Sequence, residues 1–156
     1  MKKICVIGVG NPLRRDDGVG LVLLDKLIIK KNELPKGLEF FDGGTGGLNI
    51  IHIFPDFNTV VFLDAVNFNG KTGESRLIKI DDIKRKNDTY FSSTHSIDIL
   101  KAVEISEKMG EKPENIFIFA VQPSDVSFGN SITEELSGKI DSIFENLIKN
   151  LNKIVT

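Results

Sequence analysis

Cysteine occurs once in 156 residues, so the chain can form no internal disulfide. Runs of one charge are missing as well. Twenty Lys and Arg stand against 22 Asp and Glu, for a formal net charge of -2, and nothing marks a nucleic-acid face. No stretch approaches the roughly 18 uninterrupted apolar residues a membrane span needs. The opening Met1-Lys2-Lys3-Ile4-Cys5-Val6-Ile7-Gly8 carries two lysines before an apolar run, but the run is too short for a signal-peptide core and ends in a glycine turn. It reads as a first strand. Together these absences point to a cytoplasmic protein in which Cys5 is a small buried hydrophobe rather than a reactive thiol.

What is present suffices for one domain over residues 1–156, since 40% hydrophobic content at this length supplies a real core. Short runs rich in Val, Ile and Phe recur at Ile4–Ile7, Leu38–Phe41, Val60–Leu63 and Ile116–Val121. They predict strands buried on both faces, as in a parallel sheet. Between them, Val19–Ile29 is apolar on nearly all sides and predicts a helix packed deep against the sheet. Gly46–Phe54 predicts a second, short helix ended by Pro55. Ser96–Met109 sets Ile97, Leu100, Ala102, Val103 and Ile105 mainly along one helical side, and Gly110 stops it. A last helix from about Ile132 repeats apolar residues from Leu136 to Ile154 at three- and four-residue steps. Leu77–Ile80 is a candidate edge strand, and the charged Asp81–Thr89 a solvated loop. The order predicts an α/β fold: a single three-layer domain with a twisted, mainly parallel sheet of about five strands between helices.

In such a sheet, sites collect at the carboxyl ends of strands. Those ends carry Gly8–Asp17, the glycine turn Asp42–Gly47, Asp64–Asn67 and Gln122–Asp125, while Ser92–Ser96 stands before a helix with one of only two histidines. The first of these, "GVGNPLRRDDGVG", looks like a phosphate loop but lacks the third glycine of a dinucleotide fingerprint, and Pro12 has no N–H. Asp16 and Asp17 at the helix entrance would repel an anion. No nucleotide is expected there. One aspartate of the pair is expected to cap the following helix, which leaves the other free to face the cleft. Asp64 ends a central strand, where a carboxylate needs solvent, a cation or a donor. His95 opens a helix, with Ser93 or Thr94 as its cap, whereas His52 lies in the apolar Ile50–Phe54 stretch and reads as a packed or surface residue. Two carboxylates and an imidazole from three element ends, with no thiolate, suit Ni, Zn, Mn or Fe with positions left open. Spacing alone does not bring them together.

The strings "GVGNPLRRDDGVG", "FFDGGTGG", "VVFLDAV", "SSTHSIDIL" and "FAVQPSD" resemble, in order, those of the hydrogenase maturation proteases, the endopeptidases that trim the C-terminus of the nickel–iron hydrogenase large subunit. The resemblance implies the same fold. It implies metal binding by Asp17, Asp64 and His95, catalytic roles for Asp17 and Asp42, and nickel supplied by the substrate. The implied partner is the large-subunit precursor; separately, the chain is expected to act as a monomer. A carboxylate or the metal would activate water. Other protease machinery is missing: no G-x-S-x-G elbow occurs, and Asp42-Gly43-Gly44-Thr45 differs in order from the Asp-Thr-Gly of pepsin-like enzymes. The alternative is a noncatalytic module that binds a metal or a protein tail in hydrogenase assembly.

Overall fold

The Val-, Ile- and Phe-rich runs become the strands of one five-stranded sheet in the computed structural model, which describes residues 3–86 and 93–156. They are β1 (Ile4–Gly8), β2 (Leu38–Asp42), β3 (Thr59–Ala65), β4 (Ser75–Lys79) and β5 (Asn115–Val121), with helices α1 (Val19–Ile29), α2 (Ile80–Lys86), α3 (Ser96–Lys108), α4 (Glu134–Ser137) and α5 (Ile140–Val155). The order across the sheet is β2-β1-β3-β5-β4. All pairs are parallel except β4 with β5, so the predicted edge strand is present and runs against its neighbour.

Every residue of β1 and β3 is buried, as continuous apolar runs demand of strands covered on both faces. The twofold alternation along β3 sorts its side chains. Val61, Leu63 and Ala65 pack with α1 and α5, while Val60 and Phe62 pack with α3 and the turns around Ile50 and Phe54. Asp64 follows the second set in parity and therefore belongs to the α3 side. Because β2 lies on one side of β1 and β3 on the other, the chain reverses its winding between them. The crevice at the carboxyl ends of β1 and β3 is the switch point where such sheets bind ligands.

Helix α1 has the predicted bounds, and Gly20 lets it approach closely: a Cβ there would stand 2.2 Å from the Leu63 carbonyl oxygen. Helix α3 ends at Gly110 in the left-handed region (φ +73°), where Glu111 N–H donates to the Ser106 carbonyl and Gly110 N–H to that of Glu107.

Five expectations are corrected. On α3 the buried side is Ile99, Ala102, Val103 and Ser106, whereas Ile97 and Ile105, expected on the apolar side, are exposed. The Gly46–Phe54 helix forms as two 3-10 turns, Leu48–His52 and Phe54–Asp56, and Pro55 sits inside the second rather than ending the first. Residues Asp81–Lys86 belong to α2 instead of a loop: Ile80 and Ile83, three apart, pack on the core, and Asp81 and Asp82 favour the first turn through the helix dipole. The rest of that loop, residues 87–89, lies outside the described residues, as does Ser92. The last helix is two, since Gly138 and Lys139 interrupt it, yet Leu136 and Ile140 keep the apolar stripe in register across the break. Neither Asp16 nor Asp17 caps α1. Its N-cap is Gly18, after a 3-10 turn over Arg15–Gly18 that carries both aspartates into the interior.

Candidate active site

The loop leaving β1 folds back on itself before the 3-10 turn. Gly10 makes this possible: a Cβ there would lie 2.2 Å from the Asp17 carbonyl oxygen. Asn11 N–H then donates to Asp17 Oδ2 over 2.8 Å. Asp17 is only 1% exposed, and the same Oδ2 lies 2.9 Å from His95 Nε2. His95 is itself the N-cap residue of α3 and is 3% exposed. Its other ring nitrogen, Nδ1, is 2.7 Å from the Thr45 carbonyl, so the glycine turn after β2 orients the imidazole. That carbonyl can only accept, which places a proton on Nδ1.

Asp64 joins through Ser93, whose hydroxyl donates a short bond to Asp64 Oδ2 while its oxygen accepts from His95 N–H at 3.0 Å. Asp64 Oδ1 is buried with no hydrogen-bond partner, the only such side-chain atom among the described residues. A buried carboxylate oxygen left unpaired is costly unless the carboxyl is protonated or a cation arrives. Burial pushes the Asp64 carboxyl up to about 7, against the lowering effects of Ser93 and His95. Burial would also raise Asp17, but the bonds from His95, Asn11 N–H and Thr94 outweigh it and hold that carboxyl below its ordinary value. For His95 burial opposes the charge, yet Asp17 and Asp64 raise the imidazole above its usual range. Asp17 and His95 therefore form a buried ion pair beside a carboxyl that is half protonated near neutrality.

Asp42 stands apart from this group. It is exposed at the end of β2, and its Oδ1 accepts Gly44 N–H at 2.7 Å. Backbone bonds from Gly43 N–H to the Gly8 carbonyl and from Gly10 N–H to the Gly44 carbonyl stitch its turn to the Asp17 loop. His52 is exposed and makes none of these contacts. Among the described residues no three His, Cys, Asp or Glu side chains already surround a common point.

Sequence reasoning did not find the work of Asp16, Ser93 and Thr45. Asp16 is fully buried, and its carboxylate accepts from Ser124 N–H (2.8 Å), Asp125 N–H (3.1 Å), Thr133 N–H (2.7 Å) and Thr133 Oγ1–H (3.0 Å). It ties the 3-10 turn carrying Asp17 to the chain after β5. Ser93 was visible two positions before His95, but its bond to Asp64 joins residues 29 apart. Thr45 acts through its carbonyl, which leaves no side-chain signal.

A family model described as hydrogenase maturation protease matches residues 23–150, most of the chain. The chain belongs to that family. Curated members of similar sequence include the hydrogenase expression/formation protein HupD of Rhizobium leguminosarum bv. viciae, 25% identical over 148 residues, which cover 94% of this chain and 73% of the relative. The coenzyme F420 hydrogenase subunit delta of Methanothermobacter thermautotrophicus is 27% identical over 133 residues, covering 82% and 79%. Among solved structures, the hydrogenase maturating endopeptidase HybD from Escherichia coli superposes with a TM-score of 0.80 at 22% identity, over 97% of this chain and 93% of that one. HybD of Thermococcus kodakarensis gives 0.76 at 19%, over 96% and 99%. As a hydrogenase maturation protease the chain is a peptidase of the hydrolase class, with the fold of those endopeptidases. No helix among its described residues is long and apolar enough to cross a membrane.

Proposed function

We propose that this chain removes the C-terminal extension of a nickel–iron hydrogenase large-subunit precursor, acting in the cytoplasm as a monomer. In this reading it recognises nickel already bound to that precursor through Asp17, Asp64 and His95. Nickel is part of the substrate and no nucleotide takes part. Family membership supports the peptidase activity and the precursor. The observation that carries the metal reading is the partnerless, buried Asp64 Oδ1 beside the Asp17–His95 pair at the sheet's switch point. Two hard carboxylates and one imidazole, without thiolate, suit a borderline divalent ion that keeps other ligands of its own. The Nδ1 bond to Thr45 supports the same role, because it keeps a proton on Nδ1 and leaves Nε2, beside Asp17, as the nitrogen that a metal could take once its proton is lost.

Nickel docked on these three groups would fix one peptide bond against the site. Either the metal polarises that bond or its water, or the metal only registers the substrate and a carboxylate, Asp17 or Asp42, accepts the proton of the attacking water as general base, which would give this peptidase an aspartic character. Asp42 lies on the glycine turn whose carbonyl orients His95, and its carboxylate oxygen outside the Gly44 bond is the second candidate for that proton.

The decisive experiment incubates the purified protein with nickel-loaded and nickel-free precursor and measures the C-terminal peptide by mass spectrometry. Release from the loaded form alone is expected. Binding without release would instead establish a noncatalytic module, and equal release from both forms would overturn recognition through nickel.

A further inference from the structure

Several large apolar side chains are exposed, Ile29 and Ile97 on helices among them, but Leu13 (60% exposed) and Phe128 (81%) lie on two loop segments that are bonded to each other beside the Asp17 turn. They are far apart in sequence but abreast in space. A parallel bridge joins Arg14 to Gly129, so the segments that carry Leu13 and Phe128 run side by side there. Gly129 N–H donates to the Leu13 carbonyl at 2.9 Å, Arg14 Nε donates to the Val126 carbonyl at 3.0 Å, and the Arg14 guanidinium lies over the Phe128 ring, 5.8 Å from its centre. Next to the bridge the backbone turns through Arg15 at φ +45°, a left-handed conformation rare for a side chain of this size and typical of constrained functional loops. Asp16 anchors the far side.

An exposed phenylalanine on a free loop would mean little. This one is held by the same segment that carries Asp17, so its ordering entropy is already lost in the folded protein and is not charged against association. Exposed aromatics in such a setting behave as binding anchors. Leu13 is also close to the chemistry: it is two residues, at most about 7 Å of chain, from Asn11, whose N–H binds the Asp17 carboxylate.

We infer that Leu13 and Phe128 form an apolar docking ledge for the precursor polypeptide, gripping a large apolar side chain beside the scissile bond. The inference rests on the function proposed above. The occupant is the precursor because the ledge is continuous with the Asp17 loop, where its peptide bond must arrive. Its partner side chain is apolar because the ledge offers two hydrocarbon surfaces and both adjacent cations have partners, Arg14 a carbonyl and a ring, and Arg15, which lies against Gly129, the Asp125 carboxylate.

The test compares wild type, Leu13→Ser and Phe128→Ser for both binding and cleavage of nickel-loaded precursor, with binding read by fluorescence anisotropy. Each substitution is expected to raise Kd and KM about tenfold, the loss of one interface anchor, and to leave kcat and melting temperature unchanged. Wild type that cuts, with Kd and KM unaltered in both variants, would overturn the ledge while the proposed function stands. Wild type that binds without cutting, with binding weakened in the variants, keeps the ledge and overturns the activity. A concentration-dependent dimer of wild type that Phe128→Ser dissolves, with precursor binding unchanged, would assign the ledge to a second copy of this chain and overturn the inference.

Discussion

His95 Nε2 lies 2.9 Å from Asp17 Oδ2 although the residues are 78 positions apart, and His95 Nδ1 is simultaneously committed to the Thr45 carbonyl. With both ring nitrogens facing acceptors, the imidazole is protonated and the pair is ionic. The directions agree, His95 being raised and Asp17 lowered. The His95 contribution to stability is full below its unfolded value and is lost as pH rises through the raised folded one. The Asp17 contribution is present above its unfolded value and is lost as pH falls through the lowered folded one.

In the proposed function nickel replaces the proton on His95 Nε2 and needs Asp64 ionised. Processing of nickel-loaded precursor should therefore rise with pH as both groups lose their protons, Asp64 at about 7 and His95 above the ordinary histidine range, and a kcat/KM profile would show a rising limb steeper than one ionisation gives. Asp17→Asn should return the imidazole titration, followed by NMR, toward that ordinary range. A profile flat from about pH 5.5 to 8.5 would contradict metal capture by His95.

Removing any of the three proposed ligands tests the assignment more directly. Asp17→Asn, Asp64→Asn and His95→Ala should each abolish peptide release while circular dichroism stays that of wild type. His52→Ala, at an exposed position outside the group, should leave the rate unchanged. Full activity of His95→Ala would remove the metal site from the mechanism.

Asp64 should trade stability for function. Its carboxyl ionises near 3.8 when unfolded and at about 7 when folded, so folding is increasingly opposed as pH rises between those values. Above pH 7 the cost is on the order of 4 kcal/mol, by the energy of one pKa unit. Asp64→Asn carries no such charge. Its gain in melting temperature over wild type should be several degrees near pH 8 and nearly vanish near pH 4, by scanning calorimetry. An equal gain at both would show that the buried charge is not the cause.

The layers of the fold were legible because periodicity reports burial: the apolar runs of β1 and β3 and the bounds of α1 followed directly from it. Composition misled at Asp81–Lys86, where a charged stretch hides Ile80 and Ile83, and apolar steps could not see the break at Gly138. At the site, Asp17, Asp64 and His95 stood out as polar groups at element ends. What spacing could not show was their contact, which depends on Thr45, Ser93 and Asn11 acting over long separations and partly through backbone atoms. The two aspartates look alike in sequence, and only the packing of the 124–133 chain makes one an anchor and the other a site residue.

Glycine at position 20 is a packing requirement rather than a turn. A Cβ would meet the Leu63 carbonyl oxygen at 2.2 Å and that of Val9 at 2.5 Å, both backbone atoms of the elements that carry the site. Gly20→Ala forces α1 off β3, and a loss of about 3 kcal/mol or more is expected in urea unfolding. A loss below about 1 kcal/mol would mean that the helix re-seats freely.

Asp16→Ala and Asp16→Asn should differ in a way that reveals how the Asp17 turn is held. The alanine removes acceptors from four donors on Ser124, Asp125 and Thr133. An acceptor lost from buried donors costs about 1–3 kcal/mol, so a total near 3 kcal/mol is expected, with some donors finding water. In the asparagine variant, the amide nitrogen does least harm at the Oδ1 position, which serves Thr133 N–H alone, while the carbonyl keeps the three bonds of Oδ2. Its cost should be smaller, about 1–2 kcal/mol, because one bond is lost and two N–H groups then face each other. Both variants should also slow peptide release below their melting temperatures, since the turn they loosen carries the Asp17 carboxylate. If urea unfolding ranked the two equally, or if release stayed at the wild-type rate in both, the chain after β5 would be merely adjacent to the turn and Asp17 would owe its position to Asn11 and His95 alone.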